Sequence, residues 1–198
     1  SNMVLYNQTA PIQAILDRGI LTAIGPDWTL SGEDNMLAEL RYAREFAVQR
    51  GIAELTPQRL WEMATSNGAE VVGLDGHIGK IEVGYKADLV VFGRVEPDPY
   101  LAVLENKAQD IGLVMINGQP YYGEGEHREA IGRNVGCEPF DACGVAKFIC
   151  ARDPDYDDGT DGVDDIAQLL IDILEGTGYP ADEQYGRGDE LLPLVDCN

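Results

Sequence analysis

The run Ile20–Ile24 is bounded by Gly19 and Gly25 and is followed at once by Pro26 and Asp27. It is too short for a helix, and its nearly unbroken apolar character suits a strand covered on both faces, as in a parallel sheet. A buried strand that opens into a loop at one acid is where an enzyme of barrel type keeps a catalytic carboxylate. The elements around it agree. Ala10 to Gly19 reads as a short helix entered at Pro11. Asp34 or Asn35 can cap a helix with Met36, Leu37, Leu40, Ala43, Phe46 and Ala47 on its apolar face and Gly51 at its end. Thr56-Pro57 starts another, with Leu60, Met63 and Ala64 on one side. Helix, strand, helix, helix is the arithmetic of an α/β fold. A full eightfold barrel takes ~250 residues, so only its last part has room in this stretch.

From Gly73 the apolar period shifts toward two. Ile78 to Val83 alternates, Gly84 interrupts, and Ala87 to Phe92 reads as a strand. After a connection punctuated by Pro97 and Pro99, Leu113 to Ile116 and Gln119 to Tyr122 flank Asn117-Gly118, a two-residue hairpin signal in which both turn positions tolerate positive φ. From about Gly125 the chain becomes rich in glycine, cysteine and acid, with one helix expected at Val163 to Glu175. Met36, Met63 and Met115 fall at core positions.

The formal charge of -21 is concentrated at one end, where residues 151–198 hold fourteen acids against Arg152 and Arg187. Such a surface repels phosphate, which disfavours nucleic acid and anionic lipid as partners and leaves calcium or cationic partners open. The longest apolar runs are far below the ~20 residues of a membrane span. Ser1-Asn2-Met3 lacks the pattern of a signal peptide and reads as a scar of tag removal. Cys137, Cys143, Cys150 and Cys197 all lie in the last third. An even number in one segment points to two disulfides or a metal site, and the absence of short Cys-x-x-Cys spacing and of nearby histidine favours disulfides over zinc. Disulfides would imply a periplasmic or secreted protein; four reduced, buried thiols would imply a cytoplasmic one.

The segments Thr9-Ala10-Pro11, Gly19 to Asp27, Ser31-Gly32-x-Asp34-Asn35, Ala64-Thr65-Ser66-Asn67-Gly68-Ala69 and Ile78-Gly79-Lys80-Ile81-Glu82-Val83-Gly84-Tyr85-Lys86-Ala87-Asp88-Leu89-Val90-Val91, with Asn117-Gly118 downstream, resemble the C-terminal portion of the metal-dependent amidohydrolase superfamily. The types it is most similar to are cytosine and guanine deaminases, chlorohydrolases and imidazolonepropionases, and the resemblance covers residues 4–125. It implies a (β/α)8 barrel holding one or two divalent metals, zinc or iron, beside a small β-sandwich. The expected organisation is therefore residues 1–72 as the last strand and helices of the barrel, 73–125 as C-terminal strands of the sandwich, and 126–198 as an acidic, cysteine-bearing extension.

Asp27 matches the acid that ends the eighth strand of that family, where its implied role is to ligate the metal and shuttle a proton. Gly-Pro-Asp is also ordinary turn chemistry, so a carboxylate that merely caps the turn is the bland alternative. Trp28 and Ser31 are candidates for substrate contact, with core packing and turn formation as their ordinary roles. Asn35 reads more naturally as a helix cap. The family's His-x-His pair and its other histidine ligands have no counterpart here. His77 and His127 are the only histidines, and neither is spaced to share a metal with Asp27. Asp153, Asp155, Asp157 and Asp164 occupy positions one, three, five and twelve of a calcium-loop spacing, but Asp158 stands where glycine is wanted and Asp164 where glutamate is wanted. A solvated acidic loop leading into a helix explains the same residues.

These observations give two expectations. In one, the chain is the C-terminal part of a hydrolase acting on a C–N or related bond of a small molecule. It would be inactive alone, because its metal ligands precede residue 1, and it would pair with the missing N-terminal part or with itself through exposed barrel surface. In the other, it is a non-catalytic, disulfide-stabilised and calcium-binding interaction domain.

Overall fold

The computed structural model describes residues 2–27, 32–132 and 136–150, together with 162, 163, 165, 166, 168, 169, 172 and 197. They divide into two compact units, one formed by 1–88 and 92–107, the other by 89–91 and 108–198.

The first unit is helical: α1 Asn2–Tyr6, α2 Ile12–Asp17, α3 Met36–Arg50, α4 Pro57–Ala64, α5 Ser66–Val71 and α6 Pro99–Glu105. Local chemistry sets the ends. The Asn35 side chain accepts from the Ala38 N–H at the start of α3, and Gly51 closes that helix at φ 67°. Thr56 accepts from the Arg59 N–H with Pro57 in the first turn of α4. At α6, Asp98 accepts from the Leu101 N–H and Pro99 follows, so the proline-marked connection of the sequence is in fact a capped helix. The core gathers Leu40, Ala47, Ile52, Leu55, Leu60, Met63 and Leu104. Leu60 has no exposed surface, so Leu60→Ala should cost about 2–5 kcal/mol in transfer and cavity terms, measured by denaturant unfolding. Asn106, fully buried, exchanges hydrogen bonds with both the N–H and the carbonyl of Gly93 and also donates to Ala102 O, which satisfies every group it brings out of water. Arg41 closes the same corner by donating to the carbonyls of Leu104 and Asn106.

Two expected strands are not strands. Residues 20–27 are irregular: the Ile24 N–H donates to Met63 O, and Thr22 O accepts from the Asn67 side chain. A strand exists only where a neighbouring backbone takes up its ladder, and among the described residues none does so here. Residues 78–83 form turns and bends with Ile81 and Val83 fully in solvent, so their alternation is not matched by pairing either. Gly79 in that stretch is needed for space: at φ 87°, a Cβ would sit 2.7 Å from that of Ala69.

The second unit is a five-stranded sheet in the order β1-β2-β3-β5-β4, with β1 Leu89–Phe92, β2 Ile111–Ile116, β3 Gln119–Gly123, β4 Glu138–Ala142 and β5 Val145–Ile149. The β2–β3, β3–β5 and β4–β5 pairs are antiparallel. The hairpin at Asn117-Gly118 is as expected, with φ 51° and 79° at the two turn residues and Ile116 paired to Gln119. A bulge follows between Val114 and Met115. Gly123 takes φ 145° where β3 crosses β2 so closely that any Cβ would fall on the Gly112 carbonyl oxygen. A second hairpin, β4–β5, turns through Cys143 and Gly144 at φ 57° and 82°, with Asp141 accepting from the Gly144 N–H. A short helix, α7 Gly125–Ile131, packs on β3 and β5.

All four cysteines are oxidised, as Cys137–Cys150 and Cys143–Cys197. The first pair continues the β4–β5 ladder one step beyond Glu138 and Ile149 and packs with Leu113, Met115 and Phe148. Val163, Asp165, Ile166, Gln168, Leu169 and Asp172 are helical, in line with the expected helix, whose other residues lie outside those described. No helix among the described residues is long and apolar enough to cross a membrane.

Candidate functional site

Asp27 ends the irregular stretch that enters the first unit's core at Ile24, and its side chain is exposed. It has carboxylate company. Glu39, in the first turn of α3, has its pKa raised above the ordinary carboxylate value, first by burial and then by the negative charges of Glu33 and Asp27. A carboxyl whose folded pKa is raised is penalised while charged, so this position opposes folding above the carboxylate range and is relieved as pH falls through it. Glu33 and Asp27 thus add to the negative potential at Glu39. Only Asp27 was legible in the sequence. Glu39 could have been suspected from its place one turn after the Asn35 cap, but its charge environment is tertiary.

Of the other candidates, Asn35 serves as the α3 cap. Trp28 and Ser31 lie outside the described residues, as do Asp153, Asp155, Asp157 and Asp164. His77 is exposed in a turn, its N–H donating to Leu74 O.

His127 has acidic neighbours close in the sequence. Among the described residues, Glu124, Glu126 and His127 form the one group of three whose ligand-type atoms lie within 4.8 Å of one another. That geometry is already committed. Lys147 reaches in from β5 with a fully buried side chain, its Nζ 3.3 Å from Glu124 Oε1 and 2.9 Å from Ile111 O. Burying an ammonium is costly unless it is paired, and Glu124 supplies the pair. A dication bound to the same carboxylate would repel it, so the arrangement is an ion-pair network with His127 Nε2 at its rim, 3.9 Å from Glu124 Oε2. Nearby, burial pushes Tyr122 up to about 12, and its hydroxyl donates to Ala108 O.

Residues 1–120 match the amidohydrolase family, a span that includes Asp27, Glu33 and Glu39. The chain is 40% identical over 128 residues to a 5-methylthioadenosine/S-adenosylhomocysteine deaminase of Desulforudis audaxviator, covering 60% of this chain and 30% of that protein. The deaminase of the same name from Syntrophomonas wolfei is 32% identical over 131 residues, with the same coverage. That of Halobacterium salinarum is 43% identical over 94 residues, 46% of this chain and 21% of the relative. The chain therefore spans about a third of the length of the curated relatives it matches. Such a family generally works with a divalent metal. Here Asp27 offers one carboxylate, and among the described residues it joins no set of three ligands. A tightly held ion takes three protein ligands or more, and the described residues around Asp27 do not supply that set.

Proposed function

The chain belongs to the amidohydrolase family, and from that premise we propose that it is the C-terminal part of a hydrolase that removes an amino group from a small molecule. The class of substrate we assign is the adenosine thioether, since the relatives carry that activity in their names. The supporting observation is that Asp27, the acid singled out by its place after the apolar run, lies inside the matched residues and presents an exposed carboxylate. In hydrolytic deamination, water adds to the ring carbon and ammonia leaves, so one proton must be taken from the nucleophile and returned to the leaving nitrogen. Asp27 is the group we assign to that transfer. The barrel strands and the histidine donors must come from outside this chain, and the chain alone is inactive.

The test is complementation. This chain, mixed with the upstream portion of the Desulforudis audaxviator deaminase and with zinc or iron, is assayed for ammonia release from 5-methylthioadenosine. No release by the chain alone and turnover by the mixture is the expected pattern. Turnover by the chain alone would overturn the division of labour, and a mixture that associates but stays inert would overturn the assignment of activity.

A second reading has its own observation. Both disulfides fall at residues 137–197, beyond the matched segment 1–120, although β5 pairs with β3 in the same sheet. On that reading, residues 126–198 form an interaction element, and the disulfides support the proposal of an oxidising, periplasmic or secreted setting.

A further inference from the structure

The two disulfides share one sheet but not one environment. Cys150 is 3% exposed and packs with Leu113, Phe148 and Met115, and its partner Cys137 is half-buried in the same cluster. Cys143, by contrast, sits half-buried in the two-residue turn between β4 and β5, and Cys197 is exposed. Thiol–disulfide exchange needs a thiolate to reach one sulfur in line with the bond, so access sets its rate.

We propose that Cys143–Cys197 is a reducible clasp, opened by a dithiol while Cys137–Cys150 stays closed. A thiolate of the dithiol attacks the exposed Cys197 Sγ, forming a mixed disulfide and expelling the Cys143 thiolate, which takes up a proton. The second thiolate of the reagent then displaces the Cys197 thiolate. The protein gains two electrons as two thiols, and the dithiol is oxidised to its cyclic disulfide. Nothing in the β4–β5 ladder depends on the opened bond, because five register pairs and the second bridge hold it. What changes is connectivity: the bond spans a separation of 54 residues, and its opening removes the covalent link between Cys197 and the β4–β5 turn. Loop closure by itself argues the other way. The bridge across 54 residues should stabilise more than the one across 13, so the order of opening sets access against loop length.

The experiment uses the oxidised full chain under native conditions. It is exposed to dithiothreitol for increasing times, quenched with iodoacetamide, digested and analysed by mass spectrometry. Cys143 and Cys197 should be alkylated at least about tenfold faster than Cys137 and Cys150. Simultaneous opening, or earlier opening of Cys137–Cys150, would overturn the proposal. The variant carrying Cys143→Ser and Cys197→Ser supplies the second measurement. Its amide exchange across β4 and β5 should match that of the oxidised parent; a loss of protection there would mean that the bond is a structural brace, and the clasp would be excluded.

Discussion

Asp27→Asn should lower kcat of the complemented deaminase by about 10²–10⁴, the range that a positioned proton-transfer group contributes. The amide keeps the size and most of the polarity of the carboxylate but cannot accept and return a proton, so the loss should fall on kcat rather than on KM. Because the side chain is exposed, the change should leave folding within about 0.5 kcal/mol of the parent, which circular dichroism and denaturant unfolding can verify. Ammonia release is the readout. If kcat survives unchanged in a mixture shown to assemble, Asp27 is a turn residue and nothing more.

The second large effect is expected far from that acid. Gly123→Ala must place a methyl on the Gly112 carbonyl oxygen and 2.8 Å from Leu113 Cα, with the backbone held at φ 145°. The obstructing atoms are backbone in the central β2–β3 pair and cannot swing aside as a side chain would. We expect a loss of about 3 kcal/mol or more, from clash added to backbone strain. Gly118→Ala is the control. It carries positive φ as well, but a Cβ there meets open space, so it should cost only the ~1–2 kcal/mol of the left-handed conformation. Urea titration of the two variants decides the matter: equal midpoints would show that the close approach at Gly123 has no energetic weight.

What the sequence made legible was local chemistry. Caps at Asn35, Thr56 and Gly51, and the turn at Asn117-Gly118, are contacts among near neighbours, and each took the form its residues dictate. What it obscured was pairing. Ile20–Ile24 has the apolar run and Ile78–Val83 the alternation of a strand, but such patterns record which side chains favour burial and say nothing about which backbone will accept their hydrogen bonds. The β4–β5 hairpin escaped notice for the opposite reason: Glu138, Pro139 and Asp141 hide a strand whose place is fixed by its neighbour and by a disulfide. Helix α6 was concealed by reading Pro97 and Pro99 as a connection, although Asp98 followed by Pro99 is a helix start. At the candidate site, Asp27 stood out by its position after an apolar run. The burial and charge environment of Glu39, and the pairing of Lys147 with Glu124, depended on tertiary structure, whereas His127 and Glu124 are neighbours three residues apart.

The corner at Cys143 serves two demands that pull in opposite directions. A left-handed backbone at 57° suits asparagine or glycine, and for another residue it costs about 1–2 kcal/mol. A covalent link that encloses more than fifty residues returns about 4 kcal/mol by restricting the denatured chain. The second quantity exceeds the first, so the residue here answers to long-range tethering rather than to conformational ease. Asparagine in its place would bend more comfortably and would forgo the covalent link to Cys197.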